Sequence, residues 1–161
     1  PLAVAASGTR GAGIFGPMPA RRRIDPADGA SAVRAWAATS HPDGAAPGMS
    51  TGKGTGMGAG EGAAVDRRTL ATAVRYTLEE LTACAPGRSV EVRVPPFGAT
   101  QAVAGTTHRR GTPPSVVETD AATWLALATG RLGWAEATDS GALAASGERC
   151  DLSPYLPLMR A

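Results

Sequence analysis

No stretch of the chain approaches the roughly 20 consecutive apolar residues that cross a bilayer, so a membrane-spanning helix is not expected. Neither sign of charge is in surplus. Sixteen basic residues face 14 acidic ones, the formal net charge is +2, and the two signs are interspersed. A pI near 9.0 therefore does not translate into a nucleic-acid surface. Cysteine is nearly absent: Cys84 and Cys150 stand far apart, without C-x-x-C spacing. That pattern gives no metal-like spacing and suits free thiols in a reducing, cytoplasmic compartment better than a disulfide scaffold, with a single bridge as the alternative. Neither thiol has the neighbouring base that an activated nucleophile needs. With only two Phe, the core must be built mostly from Ala, Val and Leu.

What is present divides the chain into four parts. Residues 1–20 are apolar and rich in small residues, but Gly8, Gly11, Gly13, Gly16, Pro17 and Pro19 interrupt every candidate signal-peptide centre. This part reads as a disordered leader or an over-extended start. Residues 21–40 begin with Arg21-Arg22-Arg23, and Asp25-Pro26 then provides a cap and a first turn for a helix over Ala27 to Thr39. Trp36 on that helix is too large to leave in water, so the helix is expected to dock on the main domain or a partner. The arginine cluster reads as a solvated tail; a transient contact with a membrane surface through phospholipid headgroups is the alternative.

Residues 41–65 are a flexible linker by composition, with glycine at alternate positions from Gly52 to Gly62. A phosphate loop fails there, because Pro47 replaces the first required Gly and Gly54 follows Lys53 where Ser or Thr is needed.

The fourth part, residues 66–161, carries the main domain. Asp66 to Ala85 has Leu70, Val74, Leu78, Leu81 and Ala85 on one helical face. Arg75 and Glu79 are spaced as an i,i+4 pair, and Pro86-Gly87 ends the helix. Ser89 to Val94 alternates valine with charge and predicts a half-buried strand. Thr100 to Ala104 predicts a weaker one.

Val116 and Val117 after Pro113-Pro114 predict another strand. Thr119 or Asp120 caps the following helix, and Gly130 ends it with a left-handed residue. Trp134 to Ala137 reads as a short helix, Ala142 to Ser146 as a strand, and Ser153-Pro154 as the start of a last helical turn. The fold class is α+β: a mostly antiparallel sheet of four to five strands with helices packed on one face.

The run Trp124 to Leu132, followed by Gly141-Ala142-Leu143 and Ser146-Gly147, resembles the hallmark of the sterol carrier protein family. The pieces Arg88 to Phe97 and Arg110 to Asp120 are similar to its bacterial branch, the bacterial sterol-carrier orthologues. The resemblance spans Asp66 to the C-terminus. It implies carriage of an apolar ligand, whether fatty acyl chain, sterol or phospholipid, in an internal cavity and without catalysis. The lining it implies is Val92, Val94, Trp124, Leu125, Leu132, Trp134, Leu143, Tyr155, Leu156 and Met159, with His108, Arg109 and Arg110 as a polar loop for a head group.

The residues alone also fit a filled core, as close packing normally gives. The alternative function is then a protein-interaction or enzyme-accessory module, resembling the sterol-carrier-like domains that end some actinobacterial acetyltransferases and thiol-dependent isomerases. No catalytic residue, cofactor or metal is expected on either reading. Glu118 and Asp120 sit at a strand-to-helix junction, where capping accounts for them.

Overall fold

The computed structural model describes residues 22–39, 65–105 and 115–159. The leader, the glycine-rich stretch and the His108–Arg110 loop of the sequence reading lie outside the described residues, apart from Val65. Four helices, four strands and a 3-10 turn make up the described residues.

Helix α1 spans Pro26–Thr39 and α2 spans Arg67–Cys84. Asp25 opens α1 by accepting from the Ala27 and Asp28 amides. Asp66 does the same for α2 through Arg68 and Thr69, satisfying amides that have no partner within the helix. Strand β1, Val90–Val94, buries Val90, Val92 and Val94 and turns Glu91 and Arg93 outward. Strand β2, Gly98–Ala102, pairs with it antiparallel from Gly98 opposite Val94.

The sequence placed this second strand at Thr100 to Ala104, two residues late, because the turn at 95–97 is tight enough for pairing to begin at once. After β2 the chain bends at Val103, which has φ 64, unusual for a β-branched residue. Three bonds hold that bend: Val103 N–H to the Ala85 carbonyl, and the Ser89 N–H and hydroxyl to the Val103 carbonyl.

Strand β3, Ser115–Thr119, lies beside β1, and β4, Leu143–Ser146, beside β3, giving the order β2-β1-β3-β4. The sheet is mixed. β1/β2 and β3/β4 are antiparallel, while β1/β3 is parallel. A parallel neighbour needs a long return connection, which β2 and the segment after it supply between β1 and β3.

Between β3 and β4 come α3, Ala121–Thr129, and α4, Trp134–Asp139. Asp120 caps α3 with the same two-amide geometry as Asp66, and its second oxygen takes the Thr123 hydroxyl at 2.7 Å. Gly130 closes α3 in the left-handed conformation, φ 75, at no Cβ cost. The 3-10 turn, Ser153–Tyr155, stops well short of Met159, so the last segment is extended beyond it rather than helical.

One core joins these elements, with Leu81, Val90, Val92, Val117, Trp124, Leu125, Leu127 and Leu152 fully buried. Trp124 enters it from α3 and donates its indole N–H to the Thr77 hydroxyl of α2 at 2.8 Å. Thr77 in turn donates to carbonyls of its own helix, Ala73 and Val74. The sequence face of α2 is buried as read, except that Leu70 is half-covered. A second buried face, Ala73, Tyr76 and Thr77, comes from helices packing on α2 from the other side. Gly29 of α1 sits directly on the Tyr76 ring, where any Cβ would overlap it.

The Arg75–Glu79 pair does not form. Arg75 donates Nε–H to the Phe97 carbonyl at 2.9 Å. Glu79 accepts from the Arg23 and Ile24 amides at 3.1–3.2 Å. Both residues tie α2 to its neighbours instead of to each other. Among the described residues, no helix is long and apolar enough to cross a membrane.

Two predictions follow from these contacts. Thr77→Val leaves the Trp124 indole N–H buried without an acceptor, so urea unfolding should show a loss of about 1–3 kcal/mol. The hydrogen bonds from Thr69 and Arg68 hold the Asp66 carboxyl below its usual value of 3.8. A lowered folded pKa means its contribution is complete above the unfolded value and fades as pH falls through the folded one. The melting temperature of the wild type should therefore converge on that of Asp66→Ala as the pH is taken below 3.8 in a thermal-melt series.

Candidate functional site

The residues expected to enclose a ligand separate into two groups. Val92, Val94, Trp124, Leu125 and Leu143 are buried within the common core. Leu132, Trp134, Tyr155, Leu156 and Met159 are half-buried and pack against its margin. The second group comes from the turn after α3, the first residue of α4 and the C-terminal segment, so these three pieces each contribute to the apolar border of the core.

The turn that ends α3 organises that border. The Ala126 carbonyl accepts from Arg131 and Leu132 at 2.8 and 3.2 Å, and the Gly130 amide bonds to Leu127. The C-terminal segment then lies across the turn. Leu158 and Met159 both donate their amides to the Ala128 carbonyl, at 2.9 and 3.2 Å. Pro157 rests against Gly130 so closely that a Cβ there would meet it at 3.2 Å. Upstream, buried Leu152 anchors the segment, and Asp151 accepts the Ser153 amide. Arg131 reaches the other way, with its guanidinium 5.4 Å from the centre of the Trp36 ring, which links this turn to α1. The C-terminal segment is thus joined to α3 through one shared carbonyl and otherwise by apolar contact.

Chemistry is sparse around these residues. Among the described residues no group of three His, Cys, Asp or Glu side chains could hold a metal. Both cysteines are free. Burial pushes the Cys84 thiol up, and the Glu80 charge adds to the shift. Glu118 is exposed and 3.8 Å from Arg93, while Asp120 is occupied as a cap.

A second feature was not legible in the sequence. A cleft of about 450 Å³ opens between α2, the segment leading into α1 and strand β2. Arg22, Arg23 and Ile24 form one wall, Arg75, Leu78 and Glu79 another, and Phe97 to Thr100 the third. Arg22 is paired with Glu80, and the Thr82 and Thr100 hydroxyls bond at 2.9 Å beneath. Reading Arg75 and Glu79 as a surface pair concealed it. The one available signal was Pro95-Pro96-Phe97-Gly98, a tight turn placing an aromatic residue just before an edge strand.

A protein-family model described as "Bacterial SCP ortholog" matches residues 66–158, more than half of the chain. The match takes in α2, the sheet, α3, α4 and the C-terminal segment, and leaves α1 outside. No curated protein matches the chain.

The border depends on the conformation of Gly130. Gly130→Ala forces an L-residue into the left-handed region at a cost of about 1–2 kcal/mol and brings a methyl against Pro157. The expected result is faster amide exchange at Leu158 and Met159 while the amides of β1 and β3 stay protected, as read by hydrogen-exchange mass spectrometry.

Proposed function

The chain belongs to the bacterial family of sterol carrier protein orthologues, and from that premise we propose that it binds and carries an apolar ligand without acting on it chemically. The ligand class is a fatty acyl chain, a sterol or the tail of a phospholipid. The observation that carries the reading is the apolar border of Leu132, Trp134, Tyr155, Leu156 and Met159 against a core that includes Trp124 and Leu143.

A ligand entering there passes between the C-terminal segment and the end of α3, where one carbonyl, that of Ala128, supplies the backbone link. Lifting that segment exposes a path toward Leu125 and the valines of β1. Transfer of the tail from water supplies the affinity, about 0.8 kcal/mol for each methylene buried, so few polar contacts are needed. His108, Arg109 and Arg110 are the proposed head-group contacts, since a basic loop offers charge-assisted bonds to an anion.

A second reading has its own support. Val92, Val94, Trp124 and Leu125 are already surrounded by protein, and Trp124 is further fixed by its bond to Thr77. On that reading the core is full and the domain serves as an interaction or accessory module.

Lipid extraction of the purified protein followed by mass spectrometry distinguishes the two, together with titration against a fluorescent long-chain fatty acid. The carrier reading predicts a bound lipid and saturable binding, weakened at least about tenfold by Leu156→Arg combined with Met159→Arg. Absence of both lipid and saturable binding contradicts it.

A further inference from the structure

The cleft on the opposite wall of α2 has a geometry that carriage does not use. Three consecutive residues of β2, Gly98, Ala99 and Thr100, line it. Successive side chains of a strand point to opposite faces, so a cleft bordered by consecutive residues runs along the strand's edge. β2 is the outermost strand of the sheet on that side. Its inner edge is spent on β1, and alternate N–H and C=O groups therefore point outward. Among the described residues, no hydrogen bond outside the ladder reaches a backbone group of these three residues. An edge in this state is a template for another strand.

The walls add chemistry to the template. Leu78, Ile24 and Phe97 offer an apolar floor, and Arg23 and Arg75 stand exposed at the rim. Arg22 is neutralised by Glu80, and Glu79 is engaged by the amides of Arg23 and Ile24. The terminal nitrogens of Arg75 and the whole guanidinium of Arg23 have no partner among the described residues. The volume, about 450 Å³, lies within the range of functional pockets.

We propose that this cleft binds an extended acidic peptide segment of a partner protein, which adds to β2 as a fifth strand, seats apolar side chains over Leu78 and Phe97, and pairs its carboxylates with Arg23 and Arg75. Main-chain bonds give such a mode its affinity, and the alternating side-chain positions give it specificity. The acidic character follows from the rim. The segments 1–21 and 106–114 of this chain are charged only by arginine, apart from His108, and residues 40–64 hold only two acids, Asp43 and Glu61, too far apart in sequence to share one short strand, so none of them complements it. A membrane surface would use the arginines but not the directed groups of a recessed strand edge. Arg22 to Ile24 come from outside the family match, so the cleft is completed by the segment leading into α1, which the match does not cover. The inference is independent of whether the domain holds a lipid.

The test uses the full chain and a fluorescein-labelled, capped hexapeptide alternating Glu and Val. Fluorescence anisotropy should show saturable binding, and amide resonances of Gly98 to Thr100 should shift. Arg23→Ala with Arg75→Ala should weaken binding about tenfold, and the same peptide N-methylated at alternate residues should not bind. In the free protein the amides of these residues that point away from β1 should exchange quickly. Equal binding of the N-methylated peptide, indifference to the arginine replacements, slow exchange of the outward amides in the free protein, or binding to phosphatidylglycerol vesicles in place of the peptide would each overturn the proposal.

Discussion

The bond between the Trp124 indole and the Thr77 hydroxyl is the constraint on which the rest depends. It lies in a fully buried position, between the helix that precedes the sheet and the helix inserted within it. A buried donor without a partner is costly, so the bond fixes one relative placement of α2 and α3 rather than a range. Once α3 is placed, the left-handed turn at Gly130 and the carbonyls of Ala126 and Ala128 are placed with it, and the C-terminal segment bonds to that end of the helix through Ala128. The apolar border proposed for ligand entry follows from an interaction some distance away from it.

Two faces of α2 are used for different purposes. One packs on the sheet, as the valine and leucine spacing requires. The other takes α1, with Gly29 permitting close approach to Tyr76, and meets α3 through Thr77. Near the hairpin between β1 and β2, Arg75 and Glu79 are drawn out of their helix-surface roles to hold Phe97 and the start of α1. A surface pair of this kind contributes little in water, so single tertiary hydrogen bonds compete with it easily. The cleft exists because they do.

Much of the fold was readable from local rules. Asp66 as a cap, a cap at Thr119 or Asp120 that the structure places on Asp120, Gly130 as the helix stop, and the alternation of Val90, Val92 and Val94 are each set by a residue's own side chain or backbone or by a two-residue period. What the sequence hid was set by tertiary competition. The parallel pairing of β1 with β3 depends on how a long connection returns, which no local pattern encodes. The second buried face of α2 has no apolar period to announce it, because Thr77 is buried as the acceptor for a tryptophan 47 residues later. The ten lining residues follow from the family resemblance together with their apolar character. That rule found both core and border, but it carries no information on which of the two a side chain joins.

The central claim is that an apolar guest meets this domain at the C-terminal end of α3. Paramagnetic broadening by a spin-labelled stearate, read on the side-chain resonances of the full chain, locates it directly. The account predicts loss of intensity at Leu156 and Met159 with Ile24 and Leu78 unaffected. Broadening confined to Ile24, Leu78 and Phe97, or none at stoichiometric stearate, would contradict it.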